Sequence, residues 1–184
     1  MQITPKYNKH PYTSKNMKES AYLKIRNQMW DWRANVRAGK DVFIEKKAMV
    51  TGHVRKMRLK YTTSKMLEMV NAYLKDQGQK PVTSLYLPSL SEIRVDLLNP
   101  GEPSNPYWKI TTNGSFTAMQ VDIVRGYNGF MPGFEFNVET VTYNKIQIPV
   151  VDVMNGIGVV RWKPFAGKWE NPTYVREILS SQVP

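Results

Sequence analysis

The chain has 184 residues, of which 41% are hydrophobic, and it carries 26 Lys and Arg against 15 Asp and Glu, with no cysteine. Without cysteine, disulfides, thiolate metal sites and cysteine nucleophiles are excluded. The five Trp, ten Tyr and six Phe give enough apolar surface for a folded core of ordinary domain size. The formal net charge of +11 favours an acidic partner: a nucleic acid, a membrane surface or an acidic protein.

Positive charge is concentrated in the first part of the chain. Residues 1–80 contain 18 Lys and Arg against 6 Asp and Glu, whereas residues 81–184 contain 8 against 9. From residue 55 onwards the cations alternate with Met57, Leu59 and Tyr61. This alternation predicts a basic strand with one buried face and one row of cations. Such a row is typical of a surface that follows a phosphate backbone, although a solvated face or a Lys-protected edge strand has the same pattern.

The sequence predicts one compact unit with three regions. Residues 1–13 have no periodicity and are expected to form an extended arm. Residues 14–80 are expected to form a basic helical region, and residues 81–184 an antiparallel β region with a terminal helix. The predicted class is α+β. Two main helices and the basic strand pack on a β meander that closes toward a small barrel or sandwich.

Two helices are predicted in the basic region. In residues 16–38 apolar side chains recur every three or four positions, and Gly39 follows as a stop signal. A second helix begins after a Thr N-cap at residue 62 or 63 and stops near Gly78. Between the helices, residues 41–50 fit either a short strand or the start of a helix, and their apolar triplet VFI favours the strand.

The second half of the chain alternates apolar runs with turn signals. Strands are predicted near residues 93–98, 107–112, 116–125, 134–143, 146–153 and 157–162. Asn113-Gly114 and Asn155-Gly156 predict hairpins because type I′ turns require positive φ at both central residues, and Asn144-Lys145 is a further turn candidate. The acidic residues here mostly alternate with apolar ones, which predicts outward-facing positions for Glu92, Asp96, Asp122, Glu135, Glu139 and Asp152. Asn171 and Pro172 predict the start of a short C-terminal helix.

Two groups of residues are candidate binding residues. The first comprises cations expected to contact a nucleic-acid backbone: Lys46, Lys47, Arg55, Lys56, Arg58 and Lys60, reinforced by Lys6, Lys9 and Lys15 of the arm. The second comprises apolar residues expected at a subunit interface: Trp30, and Tyr127, Phe130, Met131 and Phe134 of the Gly-rich segment GYNGFMPGF. This segment lacks the Lys-Ser/Thr ending of a phosphate loop.

Catalytic chemistry has little support in the sequence. The two histidines, His10 and His53, lie in no motif that supplies metal or triad partners. One weak pattern resembles metal-dependent nucleases: Asp31 precedes an apolar triplet followed by Glu45 and, two residues later, Lys47. We expect no catalytic residues, no metal, no cofactor and no small-molecule substrate.

The expected function is that of a non-enzymatic structural or assembly protein with a basic surface toward nucleic acid. Its layout of basic part, β part, arm and apolar loop is similar to that of coat, neck or head-tail connector subunits of viruses and phages. The expected partners are further copies of the chain or other structural subunits, and DNA or RNA bound nonspecifically through its backbone. The alternative is an adaptor in a large protein assembly that contacts no nucleic acid. No segment has signal-peptide or membrane-span character, so we expect synthesis in the cytoplasm, with a virion as the second location.

Overall fold

A computed structural model describes residues 32–98, 107–127, 133–165 and 178–179. The helices in these ranges are α1 (Trp32–Tyr61), α2 (Ser64–Asp76) and α3 (Ala118–Tyr127). The strands are β1 (Ser84–Tyr86), β2 (Arg94–Leu97), β3 (Trp108–Ile110), β4 (Phe116–Thr117), β5 (Phe136–Val138), β6 (Thr140–Tyr143), β7 (Ile146–Pro149), β8 (Val151–Met154), β9 (Ile157–Val160) and β10 (Trp162–Pro164). Ile178 and Leu179 are helical. Helices precede a mainly antiparallel β region, which confirms the α+β class.

The basic segment is helical, so the predicted strand at residues 55–61 is wrong. Val50, Val54 and Tyr61 are buried at helical spacing, whereas Leu59, which the alternation placed in the core, is 69% exposed. A seven-residue segment in which apolar and polar residues alternate can also belong to a helix, if apolar residues recur every third or fourth position over the longer segment that contains it. The pattern of that longer segment decides the secondary structure.

The same helix corrects two neighbouring predictions. Residues 41–50 lie in the middle of α1 rather than in a strand, and Gly39 lies inside the helix rather than after its end. A glycine inside a helix costs about 1 kcal/mol relative to alanine, which a helix of 30 residues packed on a core tolerates.

The second helix, α2, confirms its prediction. The side-chain oxygen of Thr63 accepts a hydrogen bond from the backbone N–H of Met66, as expected of an N-cap. Val70 and Leu74 are buried on one side of the helix. They pack with Val82 and with Ile148 of β7 in a small cluster separate from the main core.

The predicted strand at residues 116–125 is also wrong, because only its first two residues form a strand and the remainder is α3. A capping box starts this helix. Thr117 Oγ1 accepts from the backbone N–H of Gln120 at 3.2 Å, and Gln120 Oε1 accepts from the backbone N–H of Thr117 at 2.8 Å. The run around Val121 and Val124 is too short for periodicity to separate a buried strand from a buried helix.

The strands form four small sheets. β1, β9 and β8 make one, with β1 parallel to β9, and β3, β2 and β4 make a second with β2 in the centre. The pairs β10 with β5 and β6 with β7 make the others. Within the described ranges no sheet closes into a barrel.

Two of the three turn predictions are confirmed. Asn144 and Lys145 (φ 48° and 65°) join β6 to β7, and Asn155 and Gly156 (φ 50° and 77°) join β8 to β9. Asn113-Gly114 does not close a hairpin. β3 and β4 lie on opposite sides of β2 and pair with β2 instead of with each other, so the segment that connects them crosses β2. The chain runs so close to β2 there that a Cβ on Gly114 would lie 2.4 Å from the backbone nitrogen of Val95.

The main core joins the helical and β parts. Val50, Val54 and Tyr61 of α1 belong to one buried cluster with large side chains of the sheets. The members of this cluster from the β region include Leu87, Leu90, Trp108, Phe136 and Trp162. The basic helix is therefore fixed along one side by a core to which most of the sheets contribute.

We expect Gly114→Ala to destabilise the protein by roughly 3 kcal/mol, because overpacking against backbone typically costs 1–3 kcal/mol or more. Gly52→Ala is the matched control. Gly52 is exposed within α1, and a Cβ there would meet no atom within 4 Å. The control should therefore stabilise the helix by about 0.5–1 kcal/mol. Urea unfolding of both variants measures the two effects, and equal stabilities would contradict the close approach at Gly114.

Candidate nucleic-acid interface

Helix α1 has one face in the core and one face in solvent. Val42, Val50, His53, Val54 and Tyr61 are buried. At 100° per residue they fall within an arc of about 120°, which places them on one side of the helix. The opposite side carries most of the cations that the sequence analysis selected. The helix therefore presents its charge away from the core.

The solvent side of α1 has a long interval without negative charge. Residues 46–67 contain seven Lys and Arg and no Asp or Glu. Five of the six selected cations in α1 are exposed; they are Lys47, Arg55, Lys56, Arg58 and Lys60. The sixth, Lys46, has a side chain only 19% exposed, and its Nζ lies 3.2 Å from Glu45 Oε1.

Two of the exposed cations are also held by contacts within the chain. The guanidinium of Arg58 donates from Nη2 to the backbone carbonyl of Leu87 at 3.3 Å. The ammonium of Lys60 lies 4.8 Å from the centre of the Tyr61 ring. Both contacts use only part of each group's donors, so the charges remain available to an anion.

The cations surround the exposed side of α1 instead of forming one row. At 100° per residue, Lys47 and Arg58 lie on one flank of the helix, and Lys56 and Lys60 lie on the other. Between the flanks run Ile44, which is 53% exposed, then Ala48 and Gly52, and finally Leu59, with Arg55 in the same row. The surface is thus an apolar ridge, interrupted by Arg55, with cations on both sides, about 20 Å long from residue 47 to residue 60.

A second notable group is buried beneath α1 and was missed by the sequence analysis. Asp122 and Glu135 have no exposed surface, Arg125 is 6% exposed, and Arg125 Nε lies 3.9 Å from Glu135 Oε2. The expectation that Asp122 and Glu135 face outward is wrong. Asp122 lies on the helix α3 rather than on a strand, so alternation assigned it to the wrong face. The capping box at residues 117 and 120 was the signal that could have shown this.

Burial shifts the pKa values of this group. Desolvation raises the pKa of Asp122 to about 7, and the rise is limited by the backbone N–H groups of Glu135 and Phe136 and by the charge of Arg125. Desolvation lowers the pKa of Arg125 to about 10 against the attraction of Glu135 and Asp122. The Asp122 Oδ1 accepts from the backbone N–H of Glu135 at 2.6 Å. Since neither carboxyl is exposed, these groups hold the fold together and do not form an open site.

His53 connects α1 to the same region. Its Nε2 lies 2.9 Å from the backbone carbonyl oxygen of Phe136, and its ring stacks on Phe134 with centres 4.0 Å apart. Desolvation lowers the pKa of His53, and Lys56 adds to this effect, while the Phe136 carbonyl opposes it. His53 is therefore a buried link between α1 and β5.

The candidate interface residues are only partly placed by the structure. Phe134 is half-buried against His53. Three other members and the three arm cations lie outside the described residues: Trp30, Phe130, Met131, Lys6, Lys9 and Lys15. Tyr127 is the last residue of α3, and its side chain also lies outside the described part. The self-assembly role of the Gly-rich segment therefore stays a prediction.

The weak nuclease pattern lacks the local structure on which it depends. Glu45 and Lys47 lie within α1 and not after a strand, and Asp31 lies outside the described residues. Among the residues that the structure covers, no three His, Cys, Asp or Glu side chains are grouped closely enough to hold a metal ion. In the same ranges, no helix has the length and apolar character needed to cross a bilayer.

We expect Lys46 to react with an acetylating reagent roughly 2 to 5 times more slowly than Lys47, because an ion pair of this kind is worth up to about 1 kcal/mol. Mass spectrometry of the folded protein measures both rates on one peptide. Glu45→Gln should reduce the difference without affecting Lys56. Equal rates in the unchanged protein would contradict the pairing of Lys46 with Glu45.

Comparison with known proteins gives no match: the sequence fits no protein-family model, and neither a curated protein nor a solved structure is detectably similar to it.

Proposed function

We propose that the protein is a non-enzymatic assembly subunit and that the outer side of α1 binds the phosphate backbone of a nucleic acid. The observation that carries this proposal is the run of seven cations without a carboxylate in residues 46–67, five of them exposed on the helix that the core holds in place. Surface charge of one sign in this density attracts a polyanion and is not needed for the fold.

The dimensions of the surface agree with a phosphate backbone as the ligand. Each strand of a duplex carries one charge per about 3.4 Å of the axis, so a length equal to the 20 Å of α1 that carries the cations holds roughly six phosphates of each strand. Contacts of this kind hold the backbone and carry little sequence information. We therefore propose nonspecific binding, within a virus or phage particle in which the β region supplies contacts to other subunits.

We expect simultaneous replacement of Lys47, Arg55, Lys56 and Lys60 by Gln to weaken binding to a fluorescent DNA duplex and to lower the magnitude of the slope of log K against log salt by about 3.6, since each lost phosphate contact removes about 0.9. Arg58 is left unchanged because it also bonds Leu87. Fluorescence anisotropy between 50 and 200 mM salt, roughly the range over which such contacts change affinity most clearly, measures both quantities.

The matched control replaces Lys75, Lys80, Lys109 and Lys163 by Gln, which removes the same charge from exposed positions outside α1. The control should bind almost as tightly as the unchanged protein. If both variants lose the same affinity, net charge alone governs binding, and α1 is not the interface. A salt slope near zero for the unchanged protein would contradict phosphate binding altogether.

A second candidate function is an adaptor whose α1 contacts an acidic protein. The observation that favours it is the apolar ridge between the cations, because Ile44 and Leu59 are far more exposed than a purely electrostatic surface requires. The absorbance ratio at 260 and 280 nm, measured on protein purified at low salt before and after a high-salt wash, separates the two. Nucleic acid that is carried through and released by salt supports the first candidate, and its absence supports the adaptor.

A further inference from the structure

The backbone of Phe136 is contacted on both sides by groups that can gain or lose a proton. Its carbonyl oxygen lies 2.9 Å from Nε2 of His53 on α1. Its N–H interacts with the carboxyl group of Asp122 on α3, which also accepts from the N–H of Glu135 at 2.6 Å. The Phe136 side chain is fully buried, so one residue of β5 joins two helices inside the core.

We propose that Phe136 is the centre of a protonation-sensitive lock that is closed while Asp122 and His53 are both uncharged. Ionisation of either group strengthens its own hydrogen bond to the backbone of residues 135–136, but it also places a charge in a water-excluded core, and the cost of that charge loosens the packing of α3 or α1 against β5. The proposal does not rest on nucleic-acid binding by α1. It assigns to the buried polar group a role in regulating how firmly α1 is held.

The surroundings of Asp122 favour its uncharged form. The carboxyl group is fully buried, and among the described residues no donor bonds its Oδ2. Arg125, one turn along α3, is the positive group near it, and the equally buried Glu135 is the negative group that shares this Arg. An ionised Asp122 would place two carboxylates beside one guanidinium in a water-excluded space, which costs free energy.

The surroundings of His53 favour its neutral form for similar reasons. The ring is 7% exposed, stacks on Phe134 and lies 6.1 Å from the Trp162 ring. Lys56, on the same helix, is the charged group that acts on it. A proton added to His53 would place a cation among aromatic rings and close to another cation. Only the carbonyl of Phe136 would favour that state.

The two groups have opposite effects on stability as pH changes. Folding raises the pKa of Asp122 from 3.8 to about 7, so the folded protein keeps a proton that the unfolded chain has released, and stability falls as pH rises through this window. Folding lowers the pKa of His53 below 6.5, so the folded protein releases a proton that the unfolded chain keeps, and stability rises as pH approaches 6.5. In effect, folding between these limits moves a proton from His53 to Asp122.

Variants that each remove one group test the lock. Relative to Asp122→Asn, the unfolding constant of the unchanged protein should increase by close to tenfold per pH unit as pH rises from about 4 to about 7. Relative to His53→Gln, it should decrease as pH rises toward 6.5. Urea unfolding across this pH range measures both ratios. In the variant that lacks both groups, the unfolding constant should show neither of these two dependences on pH. Ratios that do not change with pH for either variant, or for one of them, would overturn the two-sided lock.

Two measurements on the unchanged protein keep the test decisive if a variant fails to fold. NMR titration should show the Asp122 carboxyl titrating near neutral pH and the His53 imidazole below its ordinary value, with His10→Gln used to assign the two imidazoles. Hydrogen exchange, corrected for intrinsic rates, should show α1 amides around residue 53 opening more readily at pH 8 than at pH 6.5. Ordinary titration of both groups, or equal protection at both pH values, would overturn the proposal.

Discussion

The rest of the structure depends on the packing of α1 along one side into the main core. Val50, Val54 and Tyr61 belong to the same buried cluster as Trp108, Phe136 and Trp162, so α1 and strands of most of the sheets share one core. Among the described residues no sheet has more than three strands, and sheets this small need packing against another element for stability. The helix supplies that partner, and its outer side remains available because its inner side is already satisfied.

This arrangement explains how one helix can be both basic and structural. Six of the seven cations of residues 46–67 lie in α1, where they would repel one another in a freely exposed helix, and burial of the opposite face offsets that repulsion. The charge is therefore fixed in position by apolar contacts made elsewhere. A surface held in this way already has its helical backbone in place, so binding does not have to fold that segment, which reduces the entropic cost of association.

Much of the fold could be predicted from the sequence, and the misses have one physical origin. Helix α2 and the turns at Asn144-Lys145 and Asn155-Gly156 were predictable because caps and positive φ are local requirements. The basic strand and the strand at residues 116–125 were wrong because short runs fit both periods, and tertiary burial decides between them. Parallel pairing of β1 with β9 joins residues about 70 positions apart, and no local pattern encodes it.

The candidate site was predictable in composition but not in geometry. The exposure of the selected cations was predictable, because Lys and Arg are mostly exposed whether they lie on a strand or on a helix. The buried group of Asp122, Arg125 and Glu135 was not found, since a charged residue among apolar ones looks the same on an outward strand position and in a core. A buried charged side chain is tolerated when a group of opposite charge lies beside it, and the residues that pair in this way come together only in the folded chain.

The parallel pairing of β1 with β9 has a consequence for the chain during synthesis. The ribosome releases β1 well before β9, so the segment Ser84–Tyr86 must wait for synthesis of a further 73 residues before β9, the neighbour with which it pairs among the described residues, exists. Helices α1 and α2 form from local contacts in the meantime, and they leave Val50 and Val54 without the aromatic residues that later cover them. Completion of the protein is therefore a late, long-range event, and the nascent chain exposes apolar surface of the kind that chaperones bind until its last quarter emerges.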